Sequence, residues 1–176
     1  MGLLAHNRAM ARNNRWCNHV LLRACAGLDA EAFVATRTSF FPSIAATLSH
    51  IYFVDLLYID ALEEGGRGLG VFDDEIVFGH ASELHPLQTE ADLRLMRVCD
   101  ELREVDLERR VIVDRGDDGN VPERIDRVLA HLFQHQIHHR GQVHAMLAGT
   151  SVKPPQLDEF FLDFERDPEI ERLGLA

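Results

Sequence analysis

Four long segments of this 176-residue chain carry the three-four spacing of apolar residues that is typical of amphipathic helices. The spacing predicts helices over about residues 3–28 and 42–64, a third that begins at Thr89, and a fourth over 121–148. Residues 109–115 resemble a strand, which we expect as an extended connection or as half of a small hairpin, because one strand cannot form a sheet. Long helices without a sheet predict an all-α four-helix bundle.

The other segments are expected to connect the helices or to cover them. Residues 65–88 are predicted as a long loop, and the aromatic stretch 157–165 is expected to pack on the bundle as a short helix. The length suits one hydrophobic core. We therefore expect a single domain over residues 1–176, with the bundle over about 3–150 and a C-terminal tail over 151–176.

Composition limits the partners and the compartment. Acidic residues outnumber basic ones by 29 to 18, which gives a net charge of −11 and disfavours nucleic acid as a partner. The three cysteines, Cys17, Cys25 and Cys99, form no CxxC pair, which favours a reducing, cytoplasmic setting. No basic and apolar leader stands at the N-terminus, and no uncharged apolar stretch reaches 18 residues, so we expect no membrane association.

Histidines in the last long helix point to a metal site. One face of that helix carries a continuous seam: Ile125, Val128, Leu132, His135, His139, Gln142 and Met146. His135 and His139 thus occupy core positions, where unsatisfied polar groups are costly. They lie one helical turn apart, which lets both imidazoles reach one metal ion at about 2.0–2.1 Å. His50 is the best candidate for a third ligand, because it is the only histidine of the second helix and lies in an apolar run.

Two other interpretations of the histidines stay open at this stage. His131 and His138 lie on the flanks of the seam and His144 is expected to face solvent, so these three are weaker candidates for ligands. Alternatively, each core histidine is only hydrogen-bonded inside the bundle. The HExxH motif of zinc proteases is absent, since Gln136 follows His135.

Several polar residues near the seams could support the ligands or contact a substrate. Asn14, Gln142 and Asp55 are the candidates for this role. Asn7 and Asn14 lie on the seam of the first helix and could instead fix helix register. Arg140 is expected to form a structural ion pair.

Three motifs make the chain similar to the DinB-like (DNA-damage-inducible) family of bacterial metalloenzymes. They are HNRAMARNNRW near the start, FPSIAATLSHIYFVD around His50, and HLFQHQIHHRGQ in the last long helix. The resemblance implies a four-helix bundle with a long crossover connection, frequent homodimers, and a divalent metal held by three histidines. Carried over by position, the ligands would be His50, His135 and His139. The family label does not imply contact with DNA.

The resemblance also implies a chemistry, because the wider superfamily includes transferases and isomerases that use bacillithiol, mycothiol or glutathione. Three ligands leave a coordination position open, as in catalytic sites. We therefore expect a Zn²⁺- or Ni²⁺-dependent enzyme that activates a small thiol for attack on an electrophile, or a metal-dependent hydrolase. Gln142 and Asn14 are the candidate catalytic residues. The alternatives are a non-catalytic metal- or ligand-binding stress-response protein and a structural homodimer.

Overall fold

Four long helices form the protein, as the periodicity predicts. A computed structural model describes residues 1–163 and 167–175. The long helices are α1 (Leu3–Cys25), α3 (Ile44–Leu62), α4 (Ala81–Glu101) and α5 (Ile125–Leu147). The described residues also form three short α-helices: α2 (Ala30–Val34), α6 (Phe160–Asp163) and α7 (Pro168–Arg172). The prediction of an all-α bundle is confirmed.

The packing of the long helices determines which residues can meet in the core. Helix α1 packs mainly against α4 and α5, and α3 packs mainly against the same two helices. Consequently α1 lies diagonally opposite α3, and α3 has α4 and α5 as its direct neighbours. The contacts of Gln88 with Asp55 and of Arg94 with Glu63 advance in the same direction along α3 and α4, so these two neighbours run parallel. The long connection between them, residues 63–80, is the crossover that the resemblance implies.

A two-stranded antiparallel hairpin lies between α4 and α5, so the extended segment is indeed half of a small hairpin. Its strands are β1 (Arg110–Asp114) and β2 (Asn120–Arg124). The prediction that α5 begins near residue 121 is wrong, since Val121 and Pro122 belong to β2 and α5 begins at Ile125. A two-stranded sheet consists only of edge strands, where proline is tolerated.

Helix α4 begins eight residues before the predicted Thr89, at Ala81. The backbone N–H of Ser82 donates to the His80 side chain, which caps the helix, and Ala81 and Leu84 bury their side chains in the core. Pro86 lies inside the helix on its exposed face, so the carbonyl group that lacks its helical partner can reach water. The predicted loop therefore ends before Ala81, and it contains a 3₁₀ segment at Gly68–Asp74.

Helix α3 is the most apolar of the long helices. Its N-terminus is capped by Ser43, whose hydroxyl oxygen accepts a hydrogen bond from the N–H of Ala46 at 3.0 Å. By length and composition Ile44–Leu62 could cross a membrane, but 78% of that window is buried inside the protein. Its apolar character is therefore accounted for by the core.

The described part of the tail packs on the bundle. Trp16 donates a hydrogen bond from its indole N–H to Asp167 at 2.6 Å, and its ring lies 5.8 Å from that of Phe160. Ile170 and Leu175 are buried in the same core. Helix α6 falls within the predicted aromatic stretch, of which residues 164 and 165 lie outside the described residues.

All three cysteines are free and buried. Burial raises the pKa of the Cys25 and Cys99 thiols to about 12. Burial also raises the pKa of Cys17, whose thiol lies 3.5 Å from the carbonyl oxygen of Leu157 in the tail. Cys17 is therefore a core residue, in the cluster that also holds Trp16.

Candidate metal centre

Three histidines from two neighbouring helices converge at one point. His50 comes from α3, while His135 and His139 come from successive turns of α5. One potential ligand atom from each of the three lies within 4.8 Å of the other two. The Nε2 atoms of His50 and His135 are 3.0 Å apart. The structure thus brings together the three residues that the sequence singled out as ligands.

The spacing of the nitrogen atoms fits a shared metal ion. Two nitrogens bound at about 2.0–2.1 Å are separated by about 2.9 Å at a right angle and about 3.4 Å at the tetrahedral angle. The 3.0 Å between His50 and His135 falls within that range. The same distance also fits a hydrogen bond between His50 and His135, but that bond leaves Nδ1 of His135 buried without a hydrogen-bond partner among the described residues.

The environment keeps the three imidazoles neutral, as metal ligation requires. Burial, followed by the proximity of His139, lowers the pKa of His50 to about 4. Burial, followed by the neighbouring histidines, lowers the pKa of His135 to about 3. Burial also lowers the pKa of His139, although the hydrogen bond to Gln142 opposes this effect. All three ring lone pairs are therefore available to a cation at neutral pH.

Gln142 contacts one of the three potential ligands. Nδ1 of His139 donates a hydrogen bond to the Gln142 side-chain oxygen at 2.8 Å. The proton therefore resides on Nδ1, and the lone pair of Nε2 is free to bind a cation. The amide nitrogen of Gln142 lies 3.2 Å from Nε2 of His138. The geometry therefore makes Gln142 a positioning residue, since both ends of its amide contact histidines.

Gln142→Leu should weaken metal affinity by about 10- to 100-fold, because partners of ligating histidines typically contribute this much. Isothermal titration of the metal-free protein with Zn²⁺ measures the change. Gln134→Leu is a matched control, since Gln134 is an exposed glutamine of the same helix. Equal affinities of the two variants would contradict the positioning role.

Polar residues lie at one end of the histidine group. At the N-terminal end of α5, the His131 ring lies 6.3 Å from His135 and 5.0 Å from Tyr58. Arg115, which follows β1, donates hydrogen bonds to the Tyr58 hydroxyl at 2.8 Å and to Glu123 at 2.7 Å. Polar groups therefore surround this end.

The other histidines of α5 have separate contacts. The His138 ring lies 4.8 Å from that of His139, but His138 is exposed. His144 donates a hydrogen bond to the carbonyl oxygen of Pro155 at 3.1 Å and so holds the tail. Neither belongs to the group of three potential ligands.

A buried polar cluster, to which all four long helices contribute, lies in the bundle core. Its members are Asn14 and Asn18 of α1, Asp55 of α3, Gln88 and Asp92 of α4, and Gln136 and Arg140 of α5. The Asp55 carboxylate accepts hydrogen bonds from Gln88 and Gln136. Asp92 accepts from Asn14, Asn18 and Gln88. Nη1 of Arg140 donates to the side-chain oxygens of Asn14, Asn18 and Gln136.

The cluster changes the interpretation of three predicted residues. Asn14 and Asp55 hydrogen-bond within the cluster, so they support the helix arrangement rather than the histidines directly. Arg140 is structural, as expected, but its hydrogen bonds go to amide oxygens instead of a carboxylate partner.

Two further members could have been recognised in the sequence. Gln88 and Asp92 are one turn apart, between the buried Leu84 and Leu95 of the same helix. A helix predicted to begin at Thr89 places Gln88 outside it and Asp92 in its first turn, so the two residues do not stand out as a core pair.

Two carboxyl groups share this cluster with one guanidinium group. Burial, followed by the Asp92 charge, raises the pKa of Asp55 to about 7. Burial raises the pKa of Asp92 to about 6, against hydrogen bonds from Asn18 and Gln88 that lower it. One oxygen of Asp55 has no hydrogen-bond partner among the described residues. The cluster therefore holds protons more tightly than isolated carboxylates would.

A bundle with three histidines on two adjacent helices defines a class of helical protein with a potential metal site. The family model of the DinB family matches residues 3–172, and the chain belongs to this family. The chain is also similar to Protein DinB of Bacillus subtilis (strain 168), with 25% identity over 152 residues, 80% of this chain and 85% of that protein. The resemblance seen in the three sequence motifs is thereby confirmed.

Proposed function

We propose that the protein is a metal-dependent enzyme in which Zn²⁺ or Ni²⁺, held by His50, His135 and His139, activates a small thiol for attack on an electrophile. The observation that carries the proposal is the convergence of three neutral imidazoles, with ligand atoms within 4.8 Å of one another. Three protein ligands are typical of catalytic sites, which keep a position for water or substrate. Such an ion would lower the pKa of a thiol or water bound beside it.

The protein groups at the centre are suited to a substrate that arrives from solvent. His50 and His135 are only partly buried, whereas His139 is 7% exposed and is held by Gln142. None of the three cysteines belongs to the group of potential ligands. The thiol in the proposed reaction is therefore an external molecule, and thiol use within the wider superfamily supports that choice.

Metal-loaded wild-type protein should accelerate the reaction of a small thiol with a chromogenic electrophile. Glutathione, bacillithiol and mycothiol are tested in parallel by absorbance, with His139→Ala as the metal-free control. A metal-bound thiol is ionised at neutral pH, whereas a free thiol of pKa about 8.5 is only a few per cent thiolate. Equal rates for the two proteins with every thiol would exclude thiol transfer. Metal-dependent turnover without thiol would instead indicate hydrolysis.

The proposal places the protein in the cytoplasm, where small thiols are kept reduced. The three free, buried cysteines support this setting. A homodimer, and a role without nucleic acid or membrane contact, remain predictions of the sequence.

A further inference from the structure

A compact loop between α2 and α3 lies against the histidine group. The backbone N–H of Arg37 donates to the carbonyl oxygen of Pro42 at 2.8 Å, which closes the loop around residues 38–41. The capped N-terminus of α3 follows directly at Ser43. This hydrogen bond and the helix cap together fix the backbone of the loop, and so they fix the positions from which its side chains extend.

Two consecutive aromatic residues stand at the tip of this loop. The Phe41 ring lies 4.2 Å from that of His50, at an interplanar angle of 34°, and 5.5 Å from that of His139. The Phe40 ring packs edge-on against Phe41 with centroids 4.9 Å apart, yet Phe40 is 79% exposed. The two rings therefore form a continuous aromatic surface that leads from solvent to the histidines.

This surface lies at the opposite end of the histidine group from the polar residues. Phe41 contacts His139, one turn after His135, while His131 lies one turn before His135 beside Tyr58 and Arg115. Isolated apolar side chains on a surface are ordinary. An exposed ring that continues into a ring packed against two potential metal ligands is instead suited to contact whatever binds there.

We propose that Phe40 and Phe41 form an aromatic wall that selects molecules carrying an aromatic group next to their metal-binding atoms. The inference rests on the proposed metal centre, but it does not depend on the thiol reaction. Stacked or edge-to-face aromatic pairs add a favourable contact beyond simple burial. Phe40 is the residue that determines this preference, since its ring is open to a ligand, whereas Phe41 already contacts the histidines.

Binding of two hydroxamates to the Co²⁺-loaded protein tests the wall. Benzohydroxamate and acetohydroxamate share the metal-binding group and differ in the aromatic ring, and the visible absorption of Co²⁺ reports their dissociation constants. Wild type should prefer benzohydroxamate. Phe40→Ala should weaken the binding of benzohydroxamate by about 2- to 10-fold, the range for one aromatic contact. The same variant should change the dissociation constant of acetohydroxamate by less than about twofold.

Two further variants guard against indirect effects. Phe40→Trp keeps an aromatic ring and should retain the preference, while Phe161→Ala removes a ring that is 55% exposed on the tail and should change neither constant. If Phe40→Ala weakens the binding of both hydroxamates equally, or of neither, the proposed aromatic wall is wrong. Hydroxamates need the metal but no thiol, so a failed thiol reaction leaves this test intact. Failure to take up Co²⁺ would overturn the metal centre and the wall together.

Discussion

His50→Ala, His135→Ala and His139→Ala should each lose most of the one divalent metal per chain that the wild type is expected to hold. Each substitution leaves two ligands, while structural and catalytic zinc sites use at least three protein ligands. The three nitrogen donors already face one another in the bundle, so the lost donor is not easily replaced. Elemental analysis after dialysis against metal-free buffer measures the stoichiometry.

His144→Ala is the matched control for this prediction. His144 belongs to the same helix, but its ring contacts the tail at Pro155, so its removal should leave the metal content unchanged. Circular dichroism of all four variants separates loss of metal from loss of fold. Stoichiometric metal in all three ligand variants would refute the site.

Arg140→Met should lower the free energy of unfolding by about 3–5 kcal/mol, the typical cost of removing one partner from a buried set of charges. Nη1 of Arg140 donates hydrogen bonds to three side-chain oxygens. Its positive charge also lowers the pKa of Asp55 and Asp92, against the rise that burial causes. Denaturant unfolding at pH 8 measures the loss. Arg97→Met is the control, since Arg97 pairs with Glu90 on the surface, where an ion pair contributes at most about 1 kcal/mol.

Asp55→Asn provides the complementary measurement, because it removes one buried charge and keeps the shape. The pKa of Asp55 is raised from 3.8 to about 7, so its contribution to stability is fully present below about pH 4 and is lost as pH rises through 7. The variant lacks this loss, so its stability relative to wild type should improve between pH 5 and pH 8. The histidines titrate in both proteins and cancel in this difference. A difference that stays constant over this range would show that Asp55 is ionised throughout.

The three-four spacing of apolar residues predicted the four long helices but not all of their ends. Helix α4 begins at Ala81 despite Pro86, because burial of Leu84 outweighs one missing hydrogen bond on an exposed face. Helix α5 begins after Pro122 rather than at it, because Val121 and Pro122 pair with β1. Both ends depend on tertiary contacts, which periodicity along a single segment does not contain.

The candidate ligands were predictable because a histidine at an apolar seam position is conspicuous. The polar cluster as a whole was not predictable, because its members satisfy one another only when four helices meet, although Gln88 and Asp92 stand at apolar seam positions of their helix. The sequence predicts Asn14 and Asp55 only singly, as groups that support the ligands or contact a substrate, or, for Asn14, that fix helix register, whereas their hydrogen-bond partners lie on α4 and α5. The loop carrying Phe40 gave no periodic signal at all.

The burial of the three cysteines keeps their thiols out of reach and in the protonated form. Only the thiolate reacts readily with electrophiles, and burial raises the pKa of Cys25 and Cys99 to about 12, so both thiols are protonated at neutral pH. Cys17 is likewise shielded, with its pKa raised by burial. We therefore expect an electrophile that reaches the histidines to meet an external thiol there without competition from the chain's own cysteine thiols.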